Sequence, residues 1–159
     1  RREVLLPRPG DLDALAESMP EPHRSMLLLI ASTGMRVGEA AALRWRYVDH
    51  NGGRVFVERS TTKTSAGVRW IDEAVVPARP EHVGDDRLVF GVSGDAFRTM
   101  LARRCVALGL PHYRPHDLRH LHLSQRLAGG LDPARLARRA GHAHAGVTLG
   151  VYTHVVEQH

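Results

Sequence analysis

The sequence predicts a mainly helical domain with one small antiparallel β-sheet, an α+β arrangement. Three observations lead there. Apolar residues recur at helical spacing toward both ends of the chain. The middle switches to alternating and β-branched residues. A turn-rich run divides two such stretches, as in a hairpin. With 159 residues and 43% hydrophobic content there is enough apolar material for one compact core, so residues 1–159 are read as a single domain.

The elements follow in order. Gly10-Asp11 precedes Leu12, Leu15, Ala16 and Met19, an amphipathic helix with an acidic start that Pro20 and Pro22 break. A second helix is expected over about 23–32, ended by Thr33-Gly34, and a third over about 37–43, with Val37, Ala40, Ala41 and Leu43 on its apolar side. Asn51-Gly52-Gly53 marks a turn. Residues 54–58 and 68–71, the latter continuing toward Val75-Val76, flank a connection over 61–67 and form a hairpin with Lys63 in or beside that connection. Residues 88–90 are a candidate third strand. Ser93 caps a helix reaching Leu108, and Pro115 opens one at His116 that ends at Gly129-Gly130. Asp132-Pro133 starts the next, ending near Gly141, and a last helical piece spans 147–156. No internal repeat or low-complexity tract is present.

Composition narrows the class. The longest apolar run, 26–31, is far too short to span a bilayer, and no signal peptide opens the chain. A start at Arg1-Arg2 without methionine is expected of a piece of something longer. Cys105 is the single cysteine, which excludes an internal disulfide, fits a reducing compartment and reads as a core residue in a helical pattern with Phe97, Leu101 and Leu108. The net charge of +5 points mildly toward a polyanionic partner. Lys63 is the only lysine among 22 basic residues. An ammonium can release a proton and a guanidinium effectively cannot, so this position has a reason to resist arginine.

Three local patterns carry chemistry, each with an ordinary alternative. In Thr33-Gly34-Met35-Arg36-Val37-Gly38-Glu39, Arg36 and Glu39 can share a helix face, although a surface ion pair would look the same. In Pro115-His116-Asp117-Leu118-Arg119-His120, a titratable imidazole stands beside a fixed cation, a combination suited to a phosphate; alone it also fits a solvated helix start. A zinc site on His112, His116 and His120 is disfavoured by the positive charge of Arg119 and the lack of clustered cysteine. The third pattern is Gly141-His142 followed by Thr148 and Tyr152-Thr153-His154, where Tyr152 by itself could be a core or rim tyrosine.

Taken in order, Arg, Lys, His-x-x-Arg, Gly-His and Tyr resemble the catalytic domain of the tyrosine recombinase (phage integrase) family over about 4–156. The resemblance implies the tyrosine recombinase catalytic-domain fold and a site-specific recombinase that cuts and rejoins DNA through a 3′-phosphotyrosyl intermediate, without ATP. Tyr152 is implied as nucleophile and Arg36 and Arg119 as phosphate clamps. His142 is implied as a further phosphate donor and His116 as the proton-transfer residue at the tyrosine. Lys63 is implied as general acid on the departing 5′-oxygen, and Glu39 as the carboxylate that holds Arg36. His142 and Tyr152 lie ten residues apart, one more than in many members. No cofactor and no metal is implied.

Double-stranded DNA is the implied partner. The family's N-terminal core-binding domain has no counterpart here, so a monomer is expected of this stretch and a tetramer on DNA of the full protein. The implied setting is the cytoplasm, for a bacterial or phage-encoded protein associated with the nucleoid and with no membrane. Two rivals stay open: a type IB topoisomerase using the same chemistry, and a DNA-binding module with a dead site.

Overall fold

The computed structural model of the protein describes residues 4–58 and 67–142. The element order is α1 (Pro9–Ser18), α2 (His23–Thr33), α3 (Val37–Ala41), a 3-10 turn (Trp45–Tyr47), β1 (Val48–Asp49), β2 (Arg54–Val57), β3 (Arg69–Asp72), α4 (Gly94–Ala107), α5 (Pro115–Ala128) and α6 (Pro133–Ala140). The hairpin connection bearing Lys63 and the helical piece expected over 147–156, with Tyr152, lie outside the described residues.

The helices start and stop for the reasons read from the sequence. Ser93 Oγ accepts from the Ala96 amide and Asp132 Oδ2 from the Arg135 amide, each satisfying a donor that the first helical turn leaves unpaired. Gly34 closes α2 at φ 72° and Gly141 closes α6 at φ 77°, the left-handed conformation that glycine adopts most cheaply. One start differs. Asp11 does not cap α1, which opens at Pro9 behind Arg8; its carboxylate instead accepts from the hydroxyl of buried Tyr113 at 2.5 Å, pinning α1 to the segment before α5.

The sheet has the order β1-β2-β3, antiparallel throughout, with Val48 opposite Val55 and Val57 opposite Arg69. The sheet departs from the expected one in two places. The third strand is Val48–Asp49, folded back across the 51–53 turn, not residues 88–90; Leu88 makes only an isolated bridge to Arg44. β3 ends at Asp72, short of Val75-Val76. A two-residue strand carries no period for sequence to reveal.

The main core gathers Leu15, Met26, Leu27, Ile30, Val55, Ile71, Phe97, Leu101, Cys105 and Leu118 from α1, α2, α4, α5 and the inner sheet face. A smaller cluster of Leu123, Leu136 and Ala140 holds α6 against α5. That second cluster sets where α6 ends, and the candidate site is built around that end.

Candidate active site

The last turn of any α-helix leaves carbonyls without intrahelical partners. After α6 the Gly141 amide donates to the Arg138 carbonyl at 3.1 Å and the His142 amide to the Ala137 carbonyl at 2.8 Å, the paired contacts of a Schellman turn. The carbonyls of Arg139 and Ala140 are taken by arginine side chains. Arg69 Nε donates to the Arg139 carbonyl at 2.7 Å. Arg119 Nη2 donates to the Ala140 carbonyl at 2.7 Å, and Arg36 Nη1 reaches the same oxygen at 3.4 Å. Three cations thus converge on the negative end of one helix dipole, within reach of His142.

Each arginine is aimed by its element. Arg36 stands at the N-terminus of α3, where Glu39 Oε2 accepts its backbone amide at 3.1 Å and Glu39 Oε1 its Nη1 at 3.0 Å. Arg119 lies on the face of α5 turned toward α2. Its Nη1 donates to the Gly34 carbonyl at 2.6 Å, while His122, one turn on, faces the Ala31 carbonyl with Nδ1 at 3.0 Å. The Gly34 turn therefore meets the arginine through its carbonyl and leaves to the histidine ring the space a side chain would take. A Cβ there would fall 2.7 Å from His122 Cδ2. At the start of α5, Asp117 repeats the Glu39 device by accepting the Arg114 amide at 2.8 Å, which orients the turn that carries His116.

The histidines feel this crowding of positive charge. Burial, then the charges of Arg119, Arg36, Arg69 and His120, push the His142 imidazole down to about 4. Burial, then Arg119, Arg36 and Arg114, lower His116, with Asp117 partly offsetting them. Both rings are neutral near pH 7. Arg119 Nη2 stands 3.3 Å from His142 Nε2, and a guanidinium has no lone pair to offer. Nε2 is therefore the acceptor and Nδ1 carries the proton. Glu39 goes the other way. Burial alone would raise its carboxyl, but the Arg69 contact and charge, with the Arg36 amide and charge, outweigh it and hold Glu39 below the usual range.

Of the residues singled out from sequence, Arg36, Glu39, Arg119 and His142 meet through side-chain and carbonyl contacts, and His116 lies in the field of both arginines. Lys63 and Tyr152 fall outside the described residues. Sequence reading missed Arg69 and the pair His122–Arg139. Arg139 Nε donates to His122 Nε2 at 3.0 Å, and its Nη2 to the Ser32 and Asp72 carbonyls at 3.2 and 2.8 Å. For Arg69 a signal existed: with a period of two it shares the inward face of β3 with Ile71, an unusual place for a charge. Among the described residues no helix is long and apolar enough to cross a membrane.

The chain is 32% identical over 178 aligned positions to the phiRv2 prophage integrase of Mycobacterium tuberculosis, covering 93% of this chain and 48% of that protein. It is 31% identical over 162 positions to the tyrosine recombinase XerC of Corynebacterium efficiens, covering 91% and 51%. The chain thus spans about half the length of these relatives. Its fold is similar to that of the catalytic domain of bacteriophage HP1 integrase, with a TM-score of 0.68 at 21% identity, covering 99% of this chain and 91% of that one. It is also similar to the Tn1549 transposon integrase solved with circular intermediate DNA, with a TM-score of 0.76 at 19% identity over 96% and 63%. The sequence profile of the Phage integrase family matches residues 11–159, and the chain belongs to that family.

Proposed function

We propose that the protein is a site-specific DNA recombinase in which Tyr152 attacks a backbone phosphorus and forms a 3′-phosphotyrosyl bond as the 5′-oxygen departs. The bond energy is retained in that link, so the 5′-hydroxyl can reverse the step without ATP. The observation that carries the reading is the convergence of Arg36, Arg119 and His142 on one helix end, with His116 in the same field. In phosphoryl transfer the charge on the non-bridging oxygens must be met by prepositioned donors, and permanently charged guanidinium groups serve throughout the cycle.

The remaining roles follow from charge state. Neutral His116 accepts the phenolic proton, which a free tyrosine with a pKa of about 10 does not release readily near pH 7. Neutral His142 donates through its N–H to a non-bridging oxygen. Lys63 protonates the departing 5′-oxygen. Glu39 keeps Arg36 aimed.

The partner is double-stranded DNA; the Tn1549 integrase, similar in fold, was solved bound to DNA. The full-length protein assembles as a tetramer on two DNA sites, whereas this stretch alone is monomeric with weak, salt-sensitive affinity. It works in the cytoplasm, at the nucleoid. The test is a nicked suicide substrate, from which the released 5′ fragment cannot return. The full-length protein should accumulate a covalent adduct, and Tyr152→Phe should bind the DNA yet form none. An adduct persisting in the phenylalanine variant removes Tyr152 as nucleophile.

A further inference from the structure

Arg69 has no part in the chemistry above, yet its side chain is 7% exposed against a Glu39 side chain that is fully buried. Its Nη1 and Nη2 donate to Glu39 Oε1 and Oε2 at 3.2 and 3.1 Å, a two-pronged contact. Nη1 also donates to the carbonyl of Gly67, two residues before it at the end of the hairpin connection, and Nε to the Arg139 carbonyl. The backbone makes room for it, because a Cβ on Gly141 would lie 2.9 Å from Arg69 Nη1. An arginine on the inward face of a strand, beside Ile71, is a poor device for stability, since an apolar residue there often does as well.

We propose that Arg69 is a positioning residue for strand cleavage: by gripping both oxygens of Glu39 and the last turn of α6, it fixes the carboxylate that aims Arg36. The proposal rests on the reading of the site given above. The geometry explains the division of labour. Each Glu39 oxygen takes one contact from Arg69 and one from Arg36, Oε1 from the guanidinium and Oε2 from the backbone amide. The Arg36 guanidinium is thereby held through Nη1, which donates to Glu39 Oε1 and also reaches the Ala140 carbonyl. The charged groups facing Glu39 are Arg36 from the start of α3 and Arg69 from β3; beyond them stand Arg119 of α5 and His142 after α6. Loss of Arg69 leaves a buried carboxylate with a single counter-charge, and its proton affinity rises.

The experiment uses the full-length protein with Arg69→Met and Arg69→Lys. Single-turnover cleavage at saturating DNA is measured against pH, and the Glu39 carboxyl is titrated by carbon NMR without DNA. Arg69→Met should slow cleavage at least about tenfold while leaving DNA affinity nearly unchanged, since a small misplacement of a phosphate clamp costs rate before it costs binding. The acidic limb of its rate profile and the Glu39 titration should both move to higher pH. Arg69→Lys, which keeps the charge but not the fork, should restore the titration and only part of the rate. If Arg69→Met does not fold, the lysine variant decides. An unchanged Glu39 titration with an unchanged saturated rate in the methionine variant, or a lysine variant as fast as the original, overturns the proposal. An unsubstituted protein that forms no adduct counts instead against the recombinase reading, while the Glu39 titration still reports on Arg69.

Discussion

Arg36 and Arg119 meet at one oxygen, with Nη1 of the first and Nη2 of the second lying 3.4 and 2.7 Å from the Ala140 carbonyl. That carbonyl stands at the end of α6, where the helix itself supplies no donor, and is held in place by the packing of Leu136 and Ala140 on Leu123. The end of α6 is thus the point at which two guanidinium groups, each aimed from its own element, are brought together.

Arg119→Lys should therefore lose more than its conserved charge suggests. Arg119 spans the Gly34 and Ala140 carbonyls with two different nitrogens, and an ammonium cannot span both from one point. Single-turnover cleavage is expected to fall by roughly 10²–10³-fold, the usual cost of one prepositioned donor to a developing charge. Retention of near-normal cleavage by the lysine variant would show that bridging is irrelevant.

Gly34→Ala should destabilise the protein by roughly 2–4 kcal/mol, because it combines a left-handed backbone with a close approach to packed His122. Gly53→Ala is the control. Its φ is 62° but nothing lies within 4 Å of the added carbon, so strain alone should cost about 1 kcal/mol. Urea unfolding of both variants checks this, and equal losses would sink the packing argument.

Acidification should destabilise the fold before its carboxylates titrate. His122 is 4% exposed, and burial, then Arg139 and Arg126, push it down to about 3. Below an unfolded value of about 6.5 the unfolded chain takes up this proton and the native state refuses it, so stability falls as pH drops. The slope is at most about 1.4 kcal/mol per pH unit for one imidazole, and His142, at about 4, acts in the same direction. Denaturant unfolding between pH 6.5 and 5 should show the decline, and His122→Asn should flatten it. An identical slope in that variant would remove His122 as its source.

Lys63→Ala should slow cleavage of ordinary DNA but not of a substrate whose bridging 5′-oxygen is replaced by sulfur, since a thiolate leaves without a proton. Comparison of the two substrates isolates the acid role. An equal loss on both excludes it.

Much of this protein was legible in one dimension. Helix caps at Ser93 and Asp132 and the glycine stops at Gly34 and Gly141 are local, governed by residues within a turn of one another. Glu39 could be paired with Arg36 from a spacing of three. The third strand could not be read, because two residues show no period. Arg69 was hidden by its connections: its partners come from α3 and from the end of α6, at large sequence separations.

By itself, then, the sequence determined the described helices, the hairpin of β2 and β3 and the family to which the chain belongs, since each rests on local spacing or on motif identity. Only the tertiary structure decided that Arg36, Arg69 and Arg119 share one helix end, and that His116 and His142 are neutral beside them. Proton affinity and the aim of a charge depend on which groups the fold packs around them and how much water it removes, and neither is written in the residues that bear the charge.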